Sequence, residues 1–238
     1  MVKEDAGIPS LSVVIPSYNE EENLPKTVPE IVSLLRNANI SYELILVDNG
    51  SFDNTRNVIE NLMKEYENIR LVTVPVNIGW GNGVVQGYSQ ARGKYVAYMC
   101  ADSQVPNQAL IDVYRRIVLE NTDKVLVKVR RISRDDGVMR CLSSVFYNLL
   151  VNVLFGGVSP DANGTPKVFG RNLLGLFDLK YKDFFIDAEL LIKVKRNKIR
   201  IAEVPFSSAK RKAGKSSIRV LKDSITVILD ALKFRLNI

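Results

Sequence analysis

The chain alternates short apolar runs with longer segments whose apolar residues recur at helical spacing. Residues 11–16 (LSVVIP) form a run with the look of a buried strand, closed by proline. Residues 42–48 (YELILVD), 69–74 (IRLVTV), 94–99 (KYVAYM) and 124–129 (KVLVKV) repeat that signature. Helical segments are predicted between them. The first follows SYNEEENL, with Ser17 or Asn19 as its N-cap, and runs to about residue 36; the second opens at the SFDNT turn and runs to about residue 66. The other two cover about 84–91 and 105–119. Strand–helix alternation implies right-handed parallel crossovers, hence an α/β protein whose single twisted sheet is mostly parallel and flanked by helices. Ligands of such sheets bind beyond the carboxyl ends of the strands, which is where Asp48 and Asp102 fall.

Two later segments are amphipathic. Residues 141–160 carry no charge, yet Arg140, Ser144, Asn148 and Asn152 recur every four residues as one polar stripe. That predicts a helix buried against the sheet or lying at an interface, not one crossing lipid. Residues 218–238 form a second such helix, with Leu221, Ile225, Ile228, Leu229 and Leu232 apolar and Arg219, Lys222, Lys233 and Arg235 basic. Core packing and membrane contact both fit these patterns.

At 238 residues, 46% hydrophobic and 25% charged, the chain has the size and balance of one globular domain. The polar N-terminus and only two cysteines, Cys100 and Cys141, suggest a reducing cytoplasmic setting and no disulfide framework. There is no histidine, which removes imidazole bases and His-ligated zinc. The formal charge of +7 is concentrated at the end of the chain, where residues 193–238 hold thirteen basic against three acidic side chains. Such a tail suits phosphate groups or an anionic membrane surface. Nucleic acid is the weaker match because the tail lacks interleaved aromatics.

Without histidine, carboxylates and a hard metal ion are the available tools. Residues 100–104 (CADSQ) follow a strand; if they stay extended, residues 100, 102 and 104 point the same way, and Asp102 and Gln104 offer oxygens to Mg²⁺ or Mn²⁺. A plain strand-end turn is the competing reading. The loop 77–83 (NIGWGNG) lets backbone approach a ligand closely, but it follows the third strand rather than the first, so a dinucleotide site is rejected. No P-loop of the standard form is present.

Six segments then occur in register: SVVIPSYNEEENL, ILVDNGSFDNT, NIGWGNGVVQGYSQARGKYVAYM, CADSQVP, RDDGVMRCLSSVFYN, and DAELLIKV with EVPF and RKAGKS. Together, from about residue 11 to 232, they resemble family 2 glycosyltransferases of the GT-A fold, closest to the polyprenol (dolichol) phosphate mannosyl- and glucosyltransferase branch. The resemblance implies one domain over 1–238, with a nucleotide-sugar half at about 8–129 and an acceptor half at about 130–238. It implies nucleotide binding by Pro16, Tyr18, Glu20, Asp48, Asn49 and Ala101, and a metal, Mg²⁺ or Mn²⁺, on Asp102 and Gln104. Arg140, Ser144 and an arginine of the pair Arg130–Arg131 match the acceptor-phosphate grip. Arg211, followed by Lys215 and Ser216, matches the arginine that neutralises the donor diphosphate. This chain departs from the pattern twice: Asn49 stands for a second aspartate, and Cys100 for the first aspartate of the metal motif, where a neutral thiol is a poor ligand for a hard cation.

The implied activity is inverting transfer of a hexose from a nucleoside diphosphate sugar to a polyprenyl phosphate. The enzyme would lie peripherally on the cytoplasmic membrane face, alone, as an oligomer or with a membrane-protein partner. Two alternatives stay open. One is a related enzyme with a hydroxyl acceptor, in which Asp187 serves as base unless it only supports the helix carrying Glu189. The other is a non-catalytic nucleotide-binding protein with a degenerate metal motif.

Overall fold

A computed structural model of the chain describes residues 7–133, 138–208 and 220–236 and, of residues 138–140 and 220–224, the backbone alone. Seven strands form one sheet: β1 (Leu11–Ser17), β2 (Tyr42–Asn49), β3 (Ile69–Val74), β4 (Tyr95–Tyr98), β5 (Val125–Ser133), β6 (Lys167–Gly170) and β7 (Arg200–Ser207), in the order β3-β2-β1-β4-β6-β5-β7. Six strands point the same way; β6 runs antiparallel between β4 and β5. The helices are α1 (Leu24–Asn37), α2 (Thr55–Glu65), α3 (Trp80–Ser89), α4 (Gln108–Glu120), α5 (Val138–Phe155), α6 (Leu174–Phe177), α7 (Ile186–Arg196) and α8 (Val220–Leu236).

The central strands are buried from end to end, as unbroken apolar runs require when both faces are covered. Their alternation divides the core. Leu11, Val13 and Ile15 of β1 join Val28 and Ile31 of α1 and Ile117 of α4 on one face. Val14, with Ile45 and Val47 of β2, faces Val84 of α3 and Leu190 of α7 on the other. Each fully buried aliphatic side chain contributes about 1.5–3 kcal/mol of transfer free energy, so these two layers hold the sheet together.

Four local expectations need correction. Neither Ser17 nor Asn19 caps α1: the helix begins at Leu24 after Asn23, and Asn19 sits at φ +55° with its amide donating to Ser51 Oγ at 3.1 Å. Helix α3 starts at Trp80, four residues earlier than its apolar spacing suggests. Residues 100–104 do not continue β4 as an extended segment, because Ser103 is at φ +50° and breaks the alternation between Asp102 and Gln104. Finally, the antiparallel β6 and the parallel β7 extend the sheet beyond the five predicted strands.

Candidate active site

Strand β1 is the point where the chain changes direction across the sheet, with β2 on one side and β4 on the other. The carboxyl ends of these strands therefore border the crevice in which open α/β sheets bind ligands. Pro16 and Asp48 lie in neighbouring register positions of β1 and β2, Pro16 opposite Val47 and Asp48 opposite Ser17. The loops beyond them are stitched together. Glu20 N donates to Thr55 Oγ1 at 2.8 Å, Phe52 N to Asn19 Oδ1 at 3.1 Å, and Ser51 N to Asp48 Oδ1 at 3.0 Å. Tyr18 is half-buried and meets the ring of Phe52 edge-on at 5.9 Å. Glu20 Oε2 accepts from Asn23 Nδ2 at 2.6 Å. Asn49 is buried; its Nδ2 donates to Gly79 O at 3.0 Å, and its Oδ1 has no hydrogen-bond partner among the described residues.

Across β1 lies the turn after β4. Ala101 is buried, and its carbonyl accepts from Thr27 Oγ1 at 2.7 Å. Gln104 N donates to Asp102 Oδ1 at 3.2 Å, so the segment turns here instead of alternating as a strand. Cys100 Sγ lies 3.7 Å from Thr165 Oγ1. Burial, and then the charge of Asp102, push its thiol up to about 12, so it is neutral at physiological pH. Among the described residues no three Cys, Asp or Glu side chains cluster as a metal cage. The oxygens of Asp102 and Gln104 are of the type a hard divalent ion prefers, and such an ion completes its shell with water or phosphate. Asp102 and Gln104 thus offer donor types that suit such an ion.

The glycines of the 77–83 loop answer to neighbouring protein. A Cβ on Gly79 or Gly81 would stand 2.2 or 2.6 Å from carbonyl oxygens of Lys182 and Tyr181, and one on Gly83 would stand 3.0 Å from Pro16 Cβ. The close approach is thus to the 181–183 backbone and to β1, not to an open ligand cleft.

The β5–β6–β7 side is organised by charge. Arg130 is exposed, whereas Arg131 is gripped by the buried Asp161, Nε to Oδ2 at 3.0 Å and Nη2 to Oδ1 at 2.5 Å. Burial alone would raise the Asp161 carboxyl, but these bonds and the charge of Arg131 hold it down at about 2. Asp161 therefore anchors Arg131. The polar stripe of α5 faces inward to shape the same segment: Asn148 Oδ1 accepts from Ala162 N at 2.8 Å, and Asn152 Oδ1 from Val158 N at 2.6 Å. Ser144 lies on that stripe, 3.4 Å from Asn148 Nδ2. The side chain of Arg140 lies outside the described residues, as do Arg211, Lys215 and Ser216.

Asp187, in the first turn of α7, is buried. Lys167 Nζ pairs with it, and the Tyr98 hydroxyl donates to the same Oδ1. Both contacts fall on one carboxylate oxygen and tie α7 to β4 and β6. Glu189, fully buried, accepts from Lys180 N and Tyr181 N at 3.0 Å and from Lys193 Nζ at 2.7 Å. The sequence reading missed Lys128 and Lys167, neighbours across β5 and β6 and both fully buried. Burial, followed by the charge of Lys167, lowers Lys128 to about 8, against the pull of Asp161 and Glu203. A lysine inside an apolar strand run was the available signal.

Comparison with known proteins agrees with this architecture. The pattern of glycosyl transferase family 2 matches residues 12–175. A dolichyl-phosphate beta-glucosyltransferase of Saccharomyces cerevisiae is 30% identical over 91% of this chain and 73% of its own length. One from Trichomonas vaginalis is 26% identical over 96% of this chain and 75% of its own. Glucosyl-3-phosphoglycerate synthase from Mycobacterium tuberculosis, solved with Mn²⁺, UDP and glucosyl-3-phosphoglycerate, superposes with a TM-score of 0.73 over 97% of this chain and 81% of that one. At 23% identity that likeness establishes the fold. With the family pattern covering more than half of its length, the chain belongs to glycosyl transferase family 2.

Proposed function

We propose that this protein transfers a hexose from a nucleoside diphosphate sugar to a polyprenyl phosphate, using Mg²⁺ or Mn²⁺. The observation that carries the reading is the convergence of Asp48 and Asn49 with Asp102 and Gln104 on the two sides of the carboxyl end of β1. Pro16, Tyr18, Glu20, Asp48, Asn49 and Ala101 would line the nucleotide site, within a donor half at about 8–129. Asp102 and Gln104 would hold the metal, which when bound neutralises charge on the leaving diphosphate. Arg211 is assigned the same task from the acceptor half. Arg130, Arg140 and Ser144 are the acceptor-phosphate candidates; Arg131, tied to Asp161, would add its charge from a fixed position.

A phosphate acceptor is already an anion and needs no general base. The engagement of Asp187 by Lys167 and Tyr98 favours this acceptor class over a hydroxyl. The relatives named for dolichyl phosphate point the same way. No helix of the described residues is long and apolar enough to cross a membrane. Helices α5 and α8 nevertheless expose Leu142, Val145, Phe146, Leu149 and Val153, and Ile225, Leu229, Leu232 and Leu236, at i, i+3, i+4, i+7 spacing. This face, flanked by Lys233 and Arg235, would rest on the cytoplasmic surface of a membrane.

The test is transfer of labelled sugar from nucleoside diphosphate sugars to a polyprenyl phosphate, with and without Mn²⁺. Asp102→Ala should lower the rate by about 10²–10³-fold, the scale of losing one strong electrostatic partner of the leaving group. Full transfer by a folded Asp102→Ala protein would refute the assignment.

A further inference from the structure

Helices α6, α7 and α8 border an open cavity of about 720 Å³. It lies toward the amino edge of the sheet: β6 ends at Gly170, opposite Tyr95 at the start of β4, shortly before α6, and Asn197 of the cavity wall leads into β7. Leu176, Phe177, Tyr181 and Phe234 give the cavity an apolar wall, and Lys180, Lys193 and Arg196 bring three cations against one carboxylate, Asp178. Basic side chains in the last turn of a helix commonly serve its carbonyl groups. Here backbone already does so, Asn197 N donating to Lys193 O and Ile199 N to Val194 O, both at 3.0 Å. Lys195 turns away to Gly157 O at 3.0 Å. Arg196 instead lies over the Phe234 ring at 4.9 Å, with no carboxylate in ion-pair reach among the described residues. Lys180 faces Asp178 at 3.3 Å in a pair more than 70% exposed, a setting in which an ion pair contributes little. Lys193 sits deeper and spends two of its three hydrogens, on Glu189 Oε1 at 2.7 Å and on Asp178 O at 2.5 Å.

A guanidinium held over a ring offers its fork of donors to a phosphate, and its weak hydration lowers the cost of taking it out of water. We propose that this cavity is a separate anion site, in which Arg196, Lys180 and Lys193 bind the phosphoryl group of a phosphomonoester whose apolar body rests on Phe234 and Tyr181. A phosphomonoester dianion matches the excess of cations over the single carboxylate, and the cavity has room for more than the phosphoryl group alone. The site is not the acceptor-phosphate grip. Arg140 and Ser144 belong to the first turns of α5, whereas Phe155, its last residue, is the one that meets Phe234, at 5.8 Å. At 1.5 Å per residue the helix separates the two places by about 17–22 Å. The phosphomonoester can come from solution or from a lipid headgroup. Leu232 and Leu236, two positions either side of Phe234 on α8, are 40% and 65% exposed, so the apolar face of that helix runs past the cavity. The proposal does not depend on the donor-site reading and needs no sugar transfer.

Two probes separate the sources: glycerol 3-phosphate, followed by calorimetry, and phosphatidylcholine vesicles containing phosphatidic acid, followed by co-sedimentation. Both are used on the full chain with a chelator present, so that no divalent ion recruits phosphate to the crevice. Arg196→Gln should weaken binding at least about tenfold, the scale of losing one hydrogen bond to a charged group. Lys180→Gln, on the more exposed side of the cavity, should weaken it about two- to fivefold. Lys198 is exposed, lies two residues beyond Arg196 and does not line the cavity, so Lys198→Gln removes the same charge and should change binding less than twofold. Circular dichroism confirms that each variant is folded. A loss by Arg196→Gln on vesicles, with or without a loss on glycerol 3-phosphate, supports the site and makes its ligand a lipid headgroup; a loss on glycerol 3-phosphate alone supports the site and makes it a soluble phosphomonoester. Absence of binding to both probes, an Arg196→Gln protein that binds both as the parent does, or equal losses from Arg196→Gln and Lys198→Gln would overturn the proposal, the last by reducing it to diffuse charge.

Discussion

The two ends of the sheet distribute polarity in opposite ways. Around β1, β2 and β3 the strands and helices bury mostly aliphatic side chains, with the buried Glu43 of β2 bonded to Ser12 and paired with Arg70, while most other polar groups sit in loops at the carboxyl edge. Around β5, β6 and β7 the interior holds Lys128, Lys167, Asp187 and Glu189, and the surface of α5 and α8 carries a row of large apolar side chains. The first region follows from solvation by water on its outside. The second is arranged as though its outer face met something other than water, with its charges paired internally. The difference teaches that the β5–β7 end should be more sensitive to loss of a charge inside and less sensitive, in folding, to polarity outside.

The largest effect should come from Lys167→Met. It leaves Asp187 buried without its cation, a loss of about 3–5 kcal/mol when one partner of a buried pair is removed. Urea unfolding would measure it. Adding Asp187→Asn should recover much of the loss, since a neutral amide can still accept from Tyr98 while no charge is stranded. A Lys167→Met protein within about 1 kcal/mol of the parent would mean that the pair does not organise this end of the sheet.

A second, smaller effect belongs to Asp161. Its carboxyl titrates at about 2 in the folded chain against an ordinary 3.8. A depressed value stabilises the fold above about pH 4, and that stability fades as pH falls through 2. The difference amounts to about 2 kcal/mol. In urea titrations between pH 2 and 6, the gap between the parent and Asp161→Asn should close by that amount on the acid side. A gap that stays constant with pH would show that Arg131 does not depend on this carboxylate.

The contrast also explains what the sequence made legible. Strands β1, β2 and β4 are short apolar runs with local punctuation, so Asp48 near the end of β2 and Asp102 in the turn after β4 could be placed from neighbouring residues alone. The other half is settled by partners distant in the chain. Lys167 finds Asp187 twenty residues on, and Arg131 finds Asp161 thirty residues on. β6 is four residues long and begins with a lysine, so it has no periodicity to read. Periodicity did reveal the polar stripe of α5, but it cannot say which side faces water. That choice is made by Val158 and Ala162, whose amides need Asn152 and Asn148. The same locality explains the misplaced start of α1: Asn19 carries the residue type of a cap but spends its hydrogen bonds on the neighbouring 51–52 loop.

The smallest expected change tests the outer face. Leu229 is 50% exposed, so replacing it with Asn should leave folding within about 0.5 kcal/mol. If α8 rests on lipid, that exposed half is what the membrane would cover. Half of the roughly 1.5–3 kcal/mol for burying a leucine corresponds to about a four- to twelvefold weaker partition onto anionic vesicles. Leu119 provides the control. It is 80% exposed but lies on α4, which covers the opposite face of the sheet, so Leu119→Asn should leave vesicle binding unchanged. Equal losses from both substitutions would reduce the effect to general hydrophobicity, whereas a loss confined to Leu229 ties it to the helix pair that covers the charged end of the sheet.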